Sequence, residues 1–337
     1  MKNISRRKST LFLLILMLLI TVFIFGEGLF KRVFKDEFLV KEDLTEKNYY
    51  STLLINTLSD SGSSPDFSIL QSNWNPGEEY GTSNQPEISG ESGIVVDINS
   101  GGILYEKNST QRLKIASLTK IMTAVVALEH KNINDEIVVS LKASSIGENV
   151  MGISESEVYT LEELLYGLIL NSGNDAAYAI AEGVAGNSDT FVKWMNMKAK
   201  ELNLNDTYFT DPCGLNDETY STSVDLVKLS RYAMQKEEFR KIVSTVSIEL
   251  PYSEKHKYIY LENQTNLLTT YPGVAGIKTG YTEEAGYCLV SYTKNNNIEL
   301  IGAVLNSENR KFDMIFMLDH SYSTLGVVIE HPLLQFY

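Results

Sequence analysis

The chain has 337 residues, 43% of them apolar and 10% aromatic. This is enough apolar material for one large domain or two small ones with additional segments, and it excludes a disordered protein. The formal net charge is −14, so most of the surface repels nucleic acid and anionic membranes, and neither is expected as the main partner. A neutral or cationic substrate is compatible with this charge.

Residues 1–34 are predicted to form a targeting segment outside the fold. An apolar run from Leu11 to Phe25, interrupted only by Thr21, follows four basic residues, Lys2, Arg6, Arg7 and Lys8. The run is shorter than the ~20 residues of a spanning helix, but no A-x-A cleavage site follows it. An uncleaved anchor is therefore favoured over a removed signal peptide, and both remain open. Either way, the chain after Phe30 is expected outside the cytoplasm, held at the outer membrane face or secreted.

Residues 35–85 are rich in Ser, Gly, Pro, Asn and acidic residues without sustained periodicity, as in SDSGSSPDF and NWNPGEEYGTSNQPE. We interpret them as a flexible stalk. Packing of Leu53 to Leu58 on the folded part is an open alternative. The folded domain is predicted to span residues 86–330, and residues 331–337 form a short tail.

The domain is predicted to begin with a hairpin, because SGIVVDI and ILYEKN are strand-like and NSGG joins them. Helical patterns follow over Ser117–His130, Leu161–Leu170, Asp175–Glu182 and Thr190–Leu202. The last third returns to strands, GIKTGYT, YCLVSYT and IELIGAVLN, before a helix over Arg310–Tyr322. This order predicts one α+β domain. Its antiparallel sheet joins the first hairpin to the last strands, with an all-helical subdomain inserted between them.

The two cysteines are Cys213 and Cys288. An exported protein permits a disulfide, but Cys288 lies in the apolar run YCLVSY, which favours a buried free thiol. Neither cysteine has a CxxC or Cys/His neighbour, so no metal site is expected.

The helix predicted from Ser117 carries a lysine, Lys120, among apolar residues. Residues three apart share a helical face, so the two side chains can touch. The helix is apolar nearly all round and is expected inside the domain, where desolvation lowers the pKa of a lysine. A largely unprotonated Lys120 could activate the Ser117 hydroxyl, and a helix start favours a developing oxyanion. The S-x-x-K spacing also occurs at Ser5 and Ser291, but only the middle copy begins an apolar helix.

The segment LNSGNDAA places Ser172 and Asn174 between two helical patterns. From this motif alone, the simpler interpretation is that Ser172, Asn174 and Asp175 cap the following helix. The functional alternative is a hydroxyl that relays a proton and an amide that holds a substrate carbonyl. A second S-x-N, at Ser307 to Asn309, shows that the motif is weak alone.

The segment GIKTGYT places Lys278, Thr279 and Gly280 on a predicted strand. Lysine and threonine are ordinary on an exposed strand face. The glycine is more informative, because Gly inside a strand often marks close approach of another backbone or a ligand. An extended peptide could pair with the main chain of this strand.

In this order, S-x-x-K, S-x-N and K-T-G form the motif set of penicillin-binding proteins and serine β-lactamases. The chain resembles the D-alanyl-D-alanine carboxypeptidases of the low-molecular-weight penicillin-binding proteins over roughly residues 86 to 326. The similarity includes DINSGGILYEKN, LLYGLILNSGNDAAYAIAE, DPCGLNDETYSTSVDLVKLS and YPGVAGIKTGYTEEAGYCLVSY. It implies the serine β-lactamase/DD-peptidase (transpeptidase-like) fold.

The resemblance also implies roles for the residues of the first two motifs. Ser117 would be the acylated nucleophile, and Lys120 the base that takes its proton. Ser172 would pass a proton to the leaving amine, and Asn174 would hold the peptide carbonyl. Backbone N–H groups of Ser117 and Tyr281 would form the oxyanion hole.

The third motif is implied to bind the substrate. Lys278 would supply positive charge near Ser172, Thr279 would bind the terminal carboxylate, and Gly280 completes the motif. Arg310, in LNSENRKFD, matches the family's arginine near that carboxylate. Its simpler interpretation is a solvated residue at a helix start.

The implied reaction removes the terminal D-alanine from peptidoglycan stem peptides through an acyl-serine that water hydrolyses, and it requires no metal or cofactor. The implied partners are the D-Ala-D-Ala stem peptide, β-lactams as covalent inhibitors, and the membrane through the N-terminal segment. No nucleic acid is expected.

Two alternatives stay open at this point. A serine β-lactamase shares the three motifs but also needs a glutamate, written E-x-x-L-N, and the chain contains ELNLN from Glu201 to Asn205. The resemblance interprets that stretch as a helix end. A non-catalytic β-lactam sensor is the second alternative, but the predicted cytoplasmic part, on the order of ten residues, is too short for a folded output domain.

Overall fold

A computed structural model describes residues 74–77 and 84–331, all of which belong to the compact unit Ser72–Tyr337. The predicted targeting segment, most of the predicted stalk and the tail after His331 lie outside these residues. Within the described ranges, no helix combines the length and apolar content needed to cross a bilayer.

Eleven strands are formed in the described part of the chain: β1 Ser92–Asp97, β2 Ile103–Lys107, β3 Leu113–Lys114, β4 Glu136–Val138, β5 Val158–Thr160, β6 Tyr220–Ser221, β7 Ser247–Leu250, β8 Ile259–Glu262, β9 Val274–Thr282, β10 Gly286–Asn295 and β11 Ile298–Ser307. The helices are a 3₁₀ turn over Ala116–Thr119, α1 Lys120–His130, α2 Leu141–Ser144, α3 Leu161–Ile169, α4 Asn174–Ala185, α5 Ser188–Glu201, α6 Ser223–Ala233, α7 Glu237–Val243, α8 Leu267–Thr270 and α9 Arg310–Thr324.

The central sheet joins the two ends of the domain, as predicted. Its strand order is β2-β1-β11-β10-β9. Strand β1 pairs antiparallel with β11 from Ser92 opposite Leu305 to Asp97 opposite Leu300. Strand β9 is the edge strand, so one side of its main chain is not paired within this sheet.

The long C-terminal strands are apolar because both faces of the sheet are covered. Helix α9 packs on one face, where Met314, Leu318 and Tyr322 are buried with Leu300 and Val304. The other face contributes to a larger core around α1. Helix α1 is buried along most of its length, from Lys120 to Ala127, which confirms the prediction that it runs through the interior.

The insertion between the hairpin and the last strands is mostly helical, but the prediction of an all-helical insertion was too simple. It also contains the two-stranded ribbons β4-β5 and β7-β8 and the short pair β3-β6. Each of these strands has four residues or fewer. Such segments are too short to show the alternation of apolar and polar residues that identifies a strand in a sequence.

Part of the predicted stalk contacts the domain. The Arg231 guanidinium lies over the Trp74 ring, 4.5 Å from its centroid, and the N–H of Gly77 donates to the carbonyl of Gly101 at 2.7 Å. Trp74 also packs against the main core. Ordered contacts therefore begin before residue 86.

Candidate active site

The Ser117–Lys120 pair lies at the junction of a 3₁₀ turn and helix α1. Ser117 is in the turn, and Lys120 is the first residue of the α-helix. The α-helix thus begins three residues later than predicted. Side chains at i and i+3 eclipse in 3₁₀ geometry, and Lys120 Nζ is 2.7 Å from Ser117 Oγ.

Lys120 Nζ has two further hydrogen-bond acceptors, Asn174 Oδ1 at 2.8 Å and the carbonyl of Cys213 at 2.9 Å. A neutral amine can donate to these two and still accept a proton from Ser117 Oγ through its lone pair. The three contacts therefore suit a base that takes the serine proton.

Burial lowers the pKa of Lys120 to about 8, and the nearby carboxylates of Asp211 and Asp175 oppose the shift. The predicted direction is confirmed. A pKa of about 8 does not confirm a resting lysine that is largely unprotonated at pH 7, but it keeps the neutral base accessible there.

The loop that presents the Cys213 carbonyl is held by Asp211, a residue the motif analysis missed. The Asp211 carboxylate accepts from the N–H groups of Cys213, Gly214 and Asn216 at 2.5 to 2.7 Å. The loop also lies against the 3₁₀ turn, since a Cβ at Gly214, where φ is +83°, would be 1.9 Å from the Ala116 carbonyl oxygen. The segment DPCGL was noticed only as part of the family resemblance.

Ser172 and Asn174 do not cap helix α4. Its N-cap is Gly173, which makes no side-chain cap, and Asn174 is already helical. The Asn174 amide instead accepts from Lys120 and donates to the carbonyl of Gly147 at 3.0 Å. The capping interpretation was wrong for these two residues, because the Asn174 side chain binds Lys120 and the Ser172 hydroxyl caps no backbone N–H.

Ser172 has two features of a functional residue. Its φ is +58°, in the left-handed region that residues with a Cβ seldom adopt. Its Oγ is buried and has no hydrogen-bond partner among the described residues. An unmatched buried hydroxyl costs about 1–3 kcal/mol, so Ser172 is a candidate for contact with a bound water or ligand.

A second carboxylate fixes the segment beside α4. Asp175 Oδ1 and Oδ2 accept from the N–H groups of Met151, Gly152 and Ile153 at 2.7 to 3.1 Å. Asp175 is almost fully buried. It was considered only as a helix cap in the sequence, where no local pattern connects it to residues more than twenty positions earlier.

Lys278 and Thr279 lie on edge strand β9, and both are buried. The ammonium of Lys278 donates to the carbonyl of Thr279 at 3.0 Å. Desolvation lowers the pKa of Lys278 well below its usual value, and the charges of Lys120 and Arg310 lower it further. Burial in this site contradicts the solvated-face alternative for Lys278 and Thr279.

Gly280 brings β9 against the 3₁₀ turn. A Cβ at this position would be 2.9 Å from the carbonyl oxygen of Ile115 and 3.2 Å from the nitrogen of Ser117. The predicted close approach of another backbone is thereby confirmed. Because alternate residues of a strand share a face, the side chain of Lys278 leaves β9 on the face that meets Ser117. Tyr281 follows Gly280 beside the same turn.

Arg310 begins helix α9 and is half-buried against β9, not solvated. Its Nη1 donates to the carbonyl of Gly280 at 2.7 Å, and its guanidinium lies over the Tyr287 ring, 5.3 Å from the centroid. Burial lowers the pKa of Arg310. Direct contacts therefore join Ser117 to Lys120, Lys120 to Asn174, Gly280 to the turn of Ser117, and Arg310 to Gly280. Lys278, Thr279 and Tyr281 lie on the same strand as Gly280, and Ser172 lies two residues before Asn174.

Comparison with known proteins agrees with this geometry. The family model described as D-alanyl-D-alanine carboxypeptidase matches residues 80–309. The chain belongs to this family.

Two relatives from different bacteria show the extent of the sequence similarity. D-alanyl-D-alanine carboxypeptidase DacF of Bacillus subtilis is 36% identical over 72% of this chain and 64% of its own length. D-alanyl-D-alanine carboxypeptidase of Streptomyces sp. strain K15 is 32% identical over 71% of this chain and 89% of its own.

Solved structures show the same fold. The crystal structure of the Streptomyces K15 DD-transpeptidase superposes with a TM-score of 0.69 at 31% identity, covering 71% of this chain and 99% of that one. A D-alanyl-D-alanine carboxypeptidase from Mycobacterium tuberculosis gives 0.67 at 31% identity over 74% and 96%.

Glu201, the glutamate of ELNLN, does not contact Ser117 or Lys120 in this chain. Lys198, itself 1% exposed, pairs with both Glu201 and Glu129 at 2.8 Å. Glu129 is nine residues after Lys120 on α1, which is about 14 Å along the helix axis. Glu201 is therefore bound at the far end of α1 and is not placed to activate a water at Ser117.

Both cysteines of the D-alanyl-D-alanine carboxypeptidase domain are buried free thiols. The favoured interpretation of Cys288 is confirmed. Burial raises the pKa of Cys213 to about 12 and that of Cys288 to about 11. At neutral pH both thiols are protonated and weakly nucleophilic.

Proposed function

We propose that the chain is a serine-type D-Ala-D-Ala carboxypeptidase that removes the terminal D-alanine from peptidoglycan stem peptides. The observation that carries the proposal is the 2.7 Å contact between Lys120 Nζ and Ser117 Oγ. It joins a buried amine of lowered pKa to a hydroxyl beside the edge strand, the arrangement that makes serine a nucleophile. Family membership supplies the substrate class.

In the first step, the neutral Lys120 amine takes the Ser117 proton as Oγ attacks the carbonyl carbon of the penultimate D-alanine. The carbonyl oxygen becomes an oxyanion, and we assign its stabilisation to the N–H groups of Ser117 and Tyr281. The approach of Gly280 to the Ser117 nitrogen supports this assignment, because it brings the strand that carries Tyr281 beside Ser117.

In the second step, the C–N bond breaks and the D-alanine amine leaves. The amine needs a proton to leave, and we assign this to the proton that Lys120 took from Ser117, relayed through Ser172, whose buried Oγ has no hydrogen-bond partner in the described residues. Asn174, held between Lys120 and Gly147, is assigned to the substrate's amide carbonyl. A water then attacks the acyl carbon and Lys120, neutral again, takes its proton. The ester bond to Ser117 Oγ breaks, and Lys120 returns the proton to Oγ, which restores the free serine.

The terminal carboxylate is assigned to Lys278, Thr279 and Arg310. Desolvation, together with the charges of Lys120 and Arg310, lowers the pKa of Lys278, so an incoming anion would offset this effect. A substrate carboxylate raises the charged fraction of Lys278 when it binds. This site also fits the carboxylate of a β-lactam, which acylates the same serine.

Membrane attachment through residues 1–34 is part of the proposal. It rests on the basic and apolar pattern of that segment. An exported domain at the outer face of the membrane would meet peptidoglycan, and an activity on cell-wall peptides has its substrate there.

The experiment is release of D-alanine from a pentapeptide ending in D-Ala-D-Ala, with the wild-type chain beside Ser117→Ala. Wild type is expected to release one D-alanine per peptide, and the variant to fall to background. Activity that survives in Ser117→Ala would exclude the mechanism. Penicillin acylation without D-alanine release would exclude the function and favour a sensor, and rapid penicillin turnover would favour a β-lactamase.

A further inference from the structure

Two tyrosines form a tilted ring pair at the end of β9. Tyr281 and Tyr287 face each other across strands β9 and β10, and their ring centroids are 4.7 Å apart. Both rings are about half exposed, at 51% and 43%. Cross-strand partners project from the same sheet face, so the pair is held in place by the sheet itself.

The guanidinium of Arg310 lies on this pair, 5.3 Å above the centroid of the Tyr287 ring. Its second contact is the hydrogen bond to the Gly280 carbonyl. Arg310 is the first residue of α9, where the helix dipole is positive and a cation is disfavoured. The guanidinium is therefore kept in an electrostatically unfavourable place by a carbonyl and an aromatic ring.

No carboxylate pairs with Arg310 within residues 84–331. The acid of the first α9 turn, Asp313, is engaged elsewhere: it accepts from the N–H groups of Ser89 and Gly90 and from the Ser307 hydroxyl. The positive charge of Arg310 is consequently not neutralised by a carboxylate of the described part of the chain.

Another arginine on the domain shows the contrasting arrangement. The Arg112 guanidinium lies over the Tyr220 ring at 5.1 Å, but it also pairs with Asp206 at 2.7 Å. That charge is compensated and solvated. Of these two arginines over tyrosine rings, Arg310 is the one without a paired carboxylate among the described residues, and it lies beside the strand of Lys278 and Thr279.

We propose that Tyr287 is a positioning residue that holds Arg310 against β9 without neutralising it, so that its charge is reserved for the substrate carboxylate. This inference rests on the proposed function. A carboxylate at position 287 would hold the guanidinium more strongly but would compete with the substrate. A ring attracts the cation through its quadrupole and leaves the net charge unchanged.

The test compares two substrates, an acylated D-Ala-D-Ala dipeptide with a free carboxylate and the same dipeptide with a C-terminal amide. The measured quantity is the ratio of kcat/KM for the acid to kcat/KM for the amide. In Tyr287→Leu this ratio is expected to fall roughly fivefold, the scale of one cation–π contact. The loss should appear mainly in KM for the acid. Tyr287→Phe, which keeps the ring, should retain the wild-type ratio, and Tyr287→Glu should lose most of the acid preference.

The matched control is Tyr220→Leu, which removes the ring beneath a different arginine. It should leave the acid-to-amide ratio unchanged. An equal fall in this control, or an unchanged ratio in Tyr287→Leu, would overturn the inference.

A second readout does not depend on turnover. The rate at which phenylglyoxal modifies Arg310, followed by peptide mapping, reports how firmly the guanidinium is held. It should rise several-fold in Tyr287→Leu and stay at the wild-type rate in Tyr287→Phe. If wild type cleaves neither dipeptide, the proposed function fails, and this rate still decides the inference. Equal rates in all three proteins would contradict the positioning role.

Discussion

At the level of single residues, the chemistry depends on where Lys120 places its lone pair. Two of its three neighbours, Asn174 Oδ1 and the Cys213 carbonyl, can only accept. The third, Ser117 Oγ, can donate. A neutral lysine therefore has one arrangement that satisfies all three, and in it the serine proton points at the amine.

The pH dependence of acylation follows from this arrangement. Because the pKa of Lys120 is lowered to about 8 by burial, the neutral base is lost as the pH falls through 8. The second-order rate of acylation by a β-lactam is expected to drop about tenfold per pH unit below 8 and to level off above it. Stopped-flow measurement between pH 5.5 and 9.5 checks this. A flat profile over that range would remove Lys120 as the base.

Glu201 provides a second test at the residue scale. It pairs with buried Lys198 rather than with the catalytic residues. Glu201→Gln is expected to leave the hydrolysis rate of the penicilloyl-enzyme within about twofold of wild type, while stability falls by roughly 1–3 kcal/mol through the weakened buried pair. Both are measurable, by recovery of free enzyme after penicillin treatment and by urea unfolding. A large fall in deacylation at unchanged stability would revive the β-lactamase alternative.

At the level of elements, the site lies where strand β9 contacts the 3₁₀ turn. Gly280 is the contact point, because a Cβ there would meet the Ile115 carbonyl at 2.9 Å. The strand carries Lys278 and Thr279, and the turn carries Ser117. Their spacing is therefore set by backbone contact rather than by flexible side chains.

Gly280→Ala is expected to push β9 away from the nucleophile. A shift of even 1 Å in catalytic geometry can cost about a hundredfold in rate, whereas overpacking one methyl costs about 1–3 kcal/mol of stability. We therefore expect D-alanine release to fall by one to two orders of magnitude (~10–100-fold) in a protein that still unfolds cooperatively.

Gly77→Ala is the control, since a Cβ there finds only the Gly101 carbonyl oxygen at 3.7 Å, an ordinary contact. It should keep wild-type activity and stability. Comparable activity in Gly280→Ala and wild type would show that the close contact is not required.

The limits of prediction also appear at this scale. The long strands and α1 were predictable, because their burial gives an apolar run or period long enough to detect. The i, i+3 spacing indicated Ser117 and Lys120, and the order of the three motifs along the chain added Ser172 and Lys278, although each motif is weak alone. The roles of Asp211 and Asp175 could not be predicted from the sequence. Each carboxylate binds backbone N–H groups of a loop, and because nearly every residue has a backbone N–H, no side-chain pattern marks these partners. Short ribbons such as β7-β8 form through tertiary contacts, and their strands are too short to show the alternation of apolar and polar residues in the sequence.

At the level of the whole molecule, the cationic site contrasts with an acidic protein. The chain carries a net charge of −14, yet Lys120, Lys278 and Arg310 meet in one place. Localised positive charge inside an otherwise negative surface focuses a small anionic group, such as a peptide carboxylate, while it repels extended polyanions.

The N-terminal contact lies at the opposite end of the sheet from this site. Gly280 pairs with Cys288 on β10, near the end of β1 that begins at Ser92. Gly77 instead contacts Gly101, beyond the other end of β1. The length of β1, about 17 Å at 3.4 Å per residue, separates the two ends. The chain therefore enters the domain away from its catalytic turn.

The most direct test of the account is the site of the covalent adduct in the intact chain. After incubation with penicillin and tryptic digestion, the added mass is expected on the peptide that runs from residue 115 to 120, at Ser117. Ser117→Ala should carry no adduct, and Lys120→Arg should be folded but acylated at least about a hundredfold more slowly, since a guanidinium cannot act as a base. An adduct on another residue, or one that persists in Ser117→Ala, would contradict the account.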